Sequence, residues 1–300
     1  MTEMSKQKVW HWTVGVLGIA LLLLPAPATA ESPWKWQKSL RIETPGDAMY
    51  MPSAVSFDPS TERYYVVDTG RNRLVSYSRA GAMVKAFSAD NRLLAPFDMV
   101  RLDDGTLWVV EKGRNSLTSI NVGAKQVTPH VLRDGAQRIF PDRVAYGQGA
   151  LYVLDRASGN VLRLNEDLSV AQRFGCPDCT DGFADFAVTD DAVWALETLE
   201  KKVFRFRPDG SIAETIHFKG QVGFPVSMAM GVGLDDALYI LDRHQHRIVV
   251  FKRNGQFMYE FLELGQGPSQ VQFPRQIRFD PWGNLCVVDE GNGRVEVFSR

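Results

Sequence analysis

Three hundred residues carrying 34 Lys and Arg against 35 Asp and Glu leave the chain with a net charge of −1. A chain so close to neutral lacks the electrostatic drive toward a phosphate backbone, which excludes sequence-independent nucleic-acid binding. No charge block, low-complexity tract or Pro/Gly/Ser-rich linker divides it, and all-β chains of this length are often one domain. A single folded unit is expected.

The first thirty residues read as a leader. Lys6 and Lys8 are followed by an uncharged, mostly apolar run at 12–24, and then by the small-x-small triplet Ala28-Thr29-Ala30. The run is too short to span a bilayer comfortably, which takes roughly 20 residues. The expectation is a signal peptide over 1–30 and a mature domain over 31–300, with no integral membrane span after cleavage. That places the mature chain in the periplasm or outside the cell.

Next comes an isolated strand candidate, Ser39-Leu40-Arg41-Ile42-Glu43, and then a motif that recurs to the C-terminus. It reads Tyr64-Tyr65-Val66-Val67-Asp68, Leu107-Trp108-Val109-Val110-Glu111 and Leu151-Tyr152-Val153-Leu154-Asp155. It returns as Val193-Trp194-Ala195-Leu196-Glu197, Leu238-Tyr239-Ile240-Leu241-Asp242 and Leu285-Cys286-Val287-Val288-Asp289. The closing acids stand 43, 44, 42, 45 and 47 residues apart. Runs apolar on both faces and rich in β-branched and aromatic residues are strands covered on both sides. Radially stacked blades supply that cover, and a period of this length marks a propeller.

Each run sits in the same frame. A strand opening on Phe or Pro precedes it, as at Phe140-Pro141, Phe224-Pro225 and Phe273-Pro274. A Gly/Asn-rich turn and two further strands follow it in units one to five. The sixth unit has only a third strand, 294–299. The predicted fold is therefore all-β: a six-bladed propeller of four-stranded antiparallel blades. Residues 39–43 are expected to supply the missing strand of blade six and close the ring, removing two free edges.

The pattern Pro, apolar strand, V-x-D-x-G-x-x-R, aliphatic strand resembles the NHL repeat. Arg71-Asn72-Arg73-Leu74 after Asp68 and His246-Arg247-Ile248-Val249 after Asp242 lie nearest to it, and the resemblance covers 49–300. Blade four departs at Thr198-Leu199-Glu200-Lys201, which lacks the turn glycine, and blade two has Ser116 where the repeat has a base. The resemblance implies a secreted bacterial NHL-repeat propeller. It implies no single activity, because propellers host lyases, lactonases and interaction modules alike.

The six closing acids are expected to be structural. A base stands five residues after four of them (Arg73, Lys202, Arg247, Arg294) and is placed to pair across the turn. At the start of the first strands the aligned residues are Ser53, Asp98, Asp142, Asp185, Val226 and Arg275. Relatives such as the gluconolactonase-like and paraoxonase-like hydrolases hold calcium in the channel. The resemblance therefore suggests Asp98, Asp142 and Asp185 as calcium ligands, since calcium takes six to eight oxygens. The alternative is that each aspartate caps its own loop or pairs with a neighbour such as Arg143 or Arg275.

Peptidylglycine-amidating lyases, also NHL propellers, bind zinc through several channel histidines. Here His130 and His217 fall in outermost strands, and His244 with His246 are too few for zinc; they read as part of a polar contact surface. Cys176-Pro177-Asp178-Cys179 lacks the following His of a haem site, and in an oxidising compartment it reads as a local disulfide. Cys286 reads as core.

No nucleophile–base pair or cofactor loop stands out. The chain therefore reads as a non-catalytic binding or scaffolding module for a protein or other anionic envelope partner. Its contact face would carry Arg71, Lys112, Arg114, Arg156, Lys201, Arg243, His244, His246 and Arg275. The alternative is a calcium-assisted hydrolase or lactonase with the metal in the channel.

Overall fold

The computed structural model describes residues 32–218, 222–231 and 236–300; the leader read at 1–30 lies outside them. Apart from one 3-10 turn at Thr69–Arg71, the regular structure is all strand. Six four-stranded antiparallel sheets form the blades. Their innermost strands are Pro52–Asp58, Pro96–Arg101, Pro141–Gly147, Asp185–Val188, Pro225–Met230 and Gln276–Phe279.

The recurring apolar runs are the second strands, and their burial explains their composition. Ala237–Asp242 is buried at every position. Tyr239 and Leu241 pack toward Ile277, Leu285 and Val287 of blade six. Leu238 and Ile240 face the other way, against Trp194 and Leu196 of blade four. A strand alternates its side chains between faces, so a strand walled on both sides must be apolar at every step. Each such side chain contributes about 1.5–3 kcal/mol on burial.

The ring closes as predicted in kind, with a shifted boundary. The clasp strand is Lys35–Leu40, hydrogen-bonded to Arg294–Ser299 in the order β-clasp, third, second, first strand of blade six. The reading at 39–43 therefore overlaps the clasp only at Ser39 and Leu40. Two features hidden from a period-2 reading shift it. A bulge between Trp36 and Lys38 breaks the alternation, and the anchors lie upstream. Trp34 Nε1 donates to Tyr239 Oη at 3.2 Å, and Trp36 Nε1 donates to buried Glu296 at 2.8 Å. Leu40 is fully buried.

All six closing acids are buried. Five of them hold the loop that leads into their own blade, while Glu197 accepts the Leu199 and Glu200 amides of the turn that follows it. Asp68 accepts the Tyr50 amide at 2.7 Å, Glu111 that of Leu94 at 2.7 Å, and Asp155 that of Phe140 at 2.8 Å. Asp242 and Asp289 do the same for Gly223 and Gln272. The pairing across the turn is present at Arg73–Asp68 (2.7 Å) and Arg294–Asp289 (2.9 Å). Lys202 instead pairs with Glu200 and Arg247 with Glu260.

Cys176 and Cys179 are disulfide-bonded, and Cys286 is buried. The disulfide loop runs into Gly182, which lies back to back with Gly159 of the blade-three turn. Both have positive φ, and a Cβ on either would come within 2.6 Å of the other's backbone. Only glycine fits there.

Candidate functional site: the central channel and its two mouths

Four of the six inner strands begin at a proline, and each of the four carries a bulge immediately after it. Pro52, Pro96, Pro141 and Pro225 each pair with the closing acid of their own blade. The next paired residues are Ala54, Asp98, Arg143 and Ser227. Asp185 and Gln276 occupy the same register in blades four and six, opposite Leu196 and Val288. The equivalent channel positions are thus Ala54, Asp98, Arg143, Asp185, Ser227 and Gln276. The sequence alignment mixed two registers. Asp98 and Asp185 are on this belt, whereas Asp142, on the blade-three bulge, and Arg275, just before the first paired residue of blade six, lie one residue earlier, and a one-residue slip reverses the face.

The belt closes on itself through bonds between neighbouring blades. Ser53 Oγ donates to the Phe97 carbonyl at 2.6 Å. Asp98 Oδ2 accepts the Val144 amide at 3.0 Å. Arg143 stands 3.7 Å from Asp185. Asp185 accepts from Ser227 Oγ at 2.6 Å and from the Met228 amide at 3.0 Å. Ser227 Oγ in turn accepts the Ile277 amide at 3.3 Å, and Gln276 Oε1 accepts the Val55 amide at 2.9 Å. Gln276 Nε2 also donates to Asp98 at 3.2 Å, and Arg278 lies 3.4 Å from both Asp98 oxygens.

The three candidate calcium ligands therefore do not form an oxygen cage. Their shared neighbour is Arg143, whose guanidinium lies in the field of all three. Burial opposes its charge, but Asp185, Asp98 and Asp142 outweigh burial and raise its pKa. Burial raises the Asp185 carboxyl above its usual range despite Arg143 and Ser227. At Asp142 burial acts the same way, yet Arg143 and Lys112 prevail and hold the carboxyl low. No group of three or more His, Cys, Asp or Glu side chains arranged for a metal occurs among the described residues. The pairing alternative, with a different arginine for each belt aspartate, matches this geometry.

The mouth on the side of the second-to-third-strand turns is charged. Phe97, on the blade-two bulge, is its centre. Lys112 Nζ lies 4.7 Å, Arg143 Cζ 5.0 Å and Arg275 Cζ 4.7 Å from the ring centroid. Lys112 pairs with Asp142. Arg243 binds Glu290 through two contacts of 3.1 Å, and Arg275 approaches the same carboxylate at 3.6 Å. Burial, then the charge of Arg143, pushes the Arg275 guanidinium down to about 10.

The opposite mouth is a cavity of about 300 Å³ walled mainly by Phe57, Tyr146, Phe186, Val188, Met228 and Phe279, with Arg278 and Asp185 at its inner end.

The predicted contact face divides accordingly. The structure brings Lys112, Arg243 and Arg275 to the charged mouth. Arg71 is held at the rim by the Ala48 and Gly46 carbonyls, and Arg114 by Glu111 and the Arg92 carbonyl. Arg156 is exposed beside a shallow recess shared with Lys112 and Phe140. Lys201 occupies a left-handed turn position, φ 56°. His244 is exposed and stacks flat on Phe224, ring centroids 4.6 Å apart. His246 is corrected: it is buried, and its Nδ1 accepts the Phe273 amide at 3.1 Å, so it anchors a loop and is withdrawn from the contact face. As expected, His130 and His217 lie in outermost strands.

Sequence reasoning missed Phe97, Arg143, Gln276, Arg278 and Glu290 as channel residues. Counting two residues on from the proline alone, at Pro52, Pro96, Pro141, Pro225 and Pro274, would have found the belt in five blades, because the bulge follows the proline and not the phenylalanine.

No family model matches the chain, and no curated protein matches it. Solved structures do. A gluconolactonase from Xanthomonas campestris aligns at TM-score 0.66 and 16% identity, covering 90% of this chain and 96% of its own. A streptogramin B lyase aligns at TM-score 0.64 and 14% identity, covering 87% and 96%. An auxiliary nutrient binding protein from Bacteroides thetaiotaomicron aligns at TM-score 0.63 and 14% identity, covering 84% and 70%. At such identities the likeness is one of fold. The class is a six-bladed β-propeller whose neighbours include a lyase, a gluconolactonase and a binding protein.

Proposed function

We propose that this chain is an exported NHL-type propeller serving as a non-catalytic binding module, which takes an anionic envelope partner on the face that carries its charged mouth. The observation that carries this reading is the commitment of the channel's acid groups. Asp98 and Asp185 are occupied by backbone amides, Ser227, Gln276 and two guanidinium groups. Neither is placed to act as a base on an incoming molecule. What faces outward is cationic and aromatic, which suits recognition of negative charge. The likeness to a nutrient binding protein supports the same reading.

The test is retention of envelope components on immobilised mature protein. A partner retained by the wild type and released when Arg71, Arg156 and Lys201 are all reversed to Glu supports it. Equal retention by both proteins removes the face from the proposal, and turnover of a substrate that depends on Asp98 or Asp185 overturns it.

A second reading, a calcium-assisted hydrolase or lactonase, draws on the likeness in fold to the gluconolactonase. The residues do not fit that ion well, because Arg143 already supplies positive charge among Asp98, Asp142 and Asp185. A stoichiometric divalent ion in purified protein, with a calcium-dependent rise in Tm that is lost in Asp142→Ala, would put this reading first.

A further inference from the structure

The charged mouth is a built site with one cation too many. Lys112 has Asp142, Arg143 has Asp185 and Arg243 has Glu290. Arg275 shares Glu290 with Arg243 at the longer distance of 3.6 Å and has no carboxylate of its own among the described residues. Its Nε lacks a hydrogen-bond partner, as do Nε and Nη1 of Arg143, a residue only 4% exposed. Guanidinium N–H groups left unpaired at such depth are costly, because the desolvation of a charged group goes uncompensated. Both guanidinium carbons lie within about 5 Å of the Phe97 centroid, so the two forks flank one aromatic surface. The ring is only partly buried, so it offers a ligand's carbon skeleton an apolar rest.

We infer that this mouth binds a carboxylate, held between the Arg275 and Arg143 guanidinium groups against the Phe97 ring. Planar forks match carboxylate geometry through paired N–H···O bonds, which a lysine does not reproduce. The carboxylate belongs either to a small organic acid or to an acidic side chain of a docked protein. Both sources present the same chemistry to the site. The inference rests on the binding reading above and names what its central pocket recognises.

The experiment is calorimetric titration of the mature protein at low ionic strength with succinate, with citrate and with a capped oligoglutamate peptide. The expected result is saturable one-to-one binding of at least one probe, weakened about 10- to 100-fold in Arg275→Gln, the loss expected for removing a charge-assisted hydrogen-bonding group. Arg275→Lys should fall between the two, and Lys125→Gln, in the exposed turn between the third and fourth strands of blade two, should bind as wild type. Binding of succinate or citrate assigns a small acid, while binding of the peptide alone assigns an acidic partner surface. A folded Arg275→Gln protein that binds as tightly as wild type overturns the inference, and so does the absence of binding by all three probes. If all three fail while an envelope partner is still retained by wild type and by Arg275→Gln alike, the carboxylate site is lost and the binding reading stands.

Discussion

The two mouths of the channel are built from opposite ends of the same six inner strands, yet they have opposite chemistry. On the turn-bearing side Phe97 is ringed by Lys112, Arg143 and Arg275. On the other side Phe57, Tyr146, Val188 and Phe279 wall an apolar cavity. The difference follows from how each strand begins. The bulge after the proline sets Phe97 and Asp142 at that mouth, beside Arg275, which precedes the first paired residue of blade six. Beyond the belt the strand regains strict alternation and its side chains serve the walls. Function at the first mouth is therefore separable from packing at the second, and the belt between them is common to both.

Asp98→Ala should give the largest effect, because it attacks the common element. It would leave Arg278, Gln276 Nε2 and the Val144 amide without their acceptor. Breaking a buried pair in this way costs about 3–5 kcal/mol. Thermal melting should show a fall in Tm far beyond that of Asp98→Asn; equal losses would mean that the charge is not what the site uses.

Phe279→Ala attacks only the apolar mouth. Its ring meets Tyr239 edge to face at 5.1 Å and lies tilted against Trp34 at 5.7 Å, so it supports the clasp as well as the cavity. Full truncation of a core Phe costs 3–5 kcal/mol, and for a half-buried ring about 2 kcal/mol is expected in urea unfolding. Carboxylate binding at the other mouth should not change. If it does, the mouths are coupled.

The pH dependence sets the belt against the bulge. Asp185, raised by burial, contributes stability that is full below its unfolded pKa and is lost as pH rises through the raised folded value. Asp142, lowered by Arg143 and Lys112 against burial, contributes stability that is present above its unfolded pKa and is lost as pH falls through the lowered value. Stability curves taken between acid and neutral pH should therefore flatten on the rising-pH side in Asp185→Asn and on the acid side in Asp142→Asn. The same flattening in both variants would contradict the opposite directions.

Arg275→Gln should have the smallest effect on stability, within about 1 kcal/mol of wild type. It removes a crowded cation next to Arg143 and Arg243, so any change should favour the folded state. A large loss of Tm would show that Arg275 is a structural member of the mouth, in conflict with the surplus of positive charge around it.

Much of this was legible in the residues. Six apolar runs closed by acids gave the number of blades, because a strand covered on both faces has no polar option. The outer position of His130 and His217 and the Cys176–Cys179 bridge were also readable from spacing alone. The clasp was legible in kind but misplaced, since the bulge between Trp36 and Lys38 hides the alternation and Trp34 finds its partner Tyr239 some two hundred residues away. The aspartate triad failed for a related reason. Asp98 and Asp142 look equivalent because each follows a Phe/Pro pair, but the pair is Pro96-Phe97 in one blade and Phe140-Pro141 in the other, and pairing puts Asp142 on a bulge and Arg143 on the belt.

Local composition determined the fold: period, apolar pattern and turn chemistry act within one blade and repeat without reference to the whole. Only the closed ring decided which side chains meet at its axis. Each inner strand contributes one residue to the belt, and a shift of one position exchanges an aspartate for an arginine. The channel's charge, and the surplus of Arg275 at its mouth, are therefore properties of the register between strands.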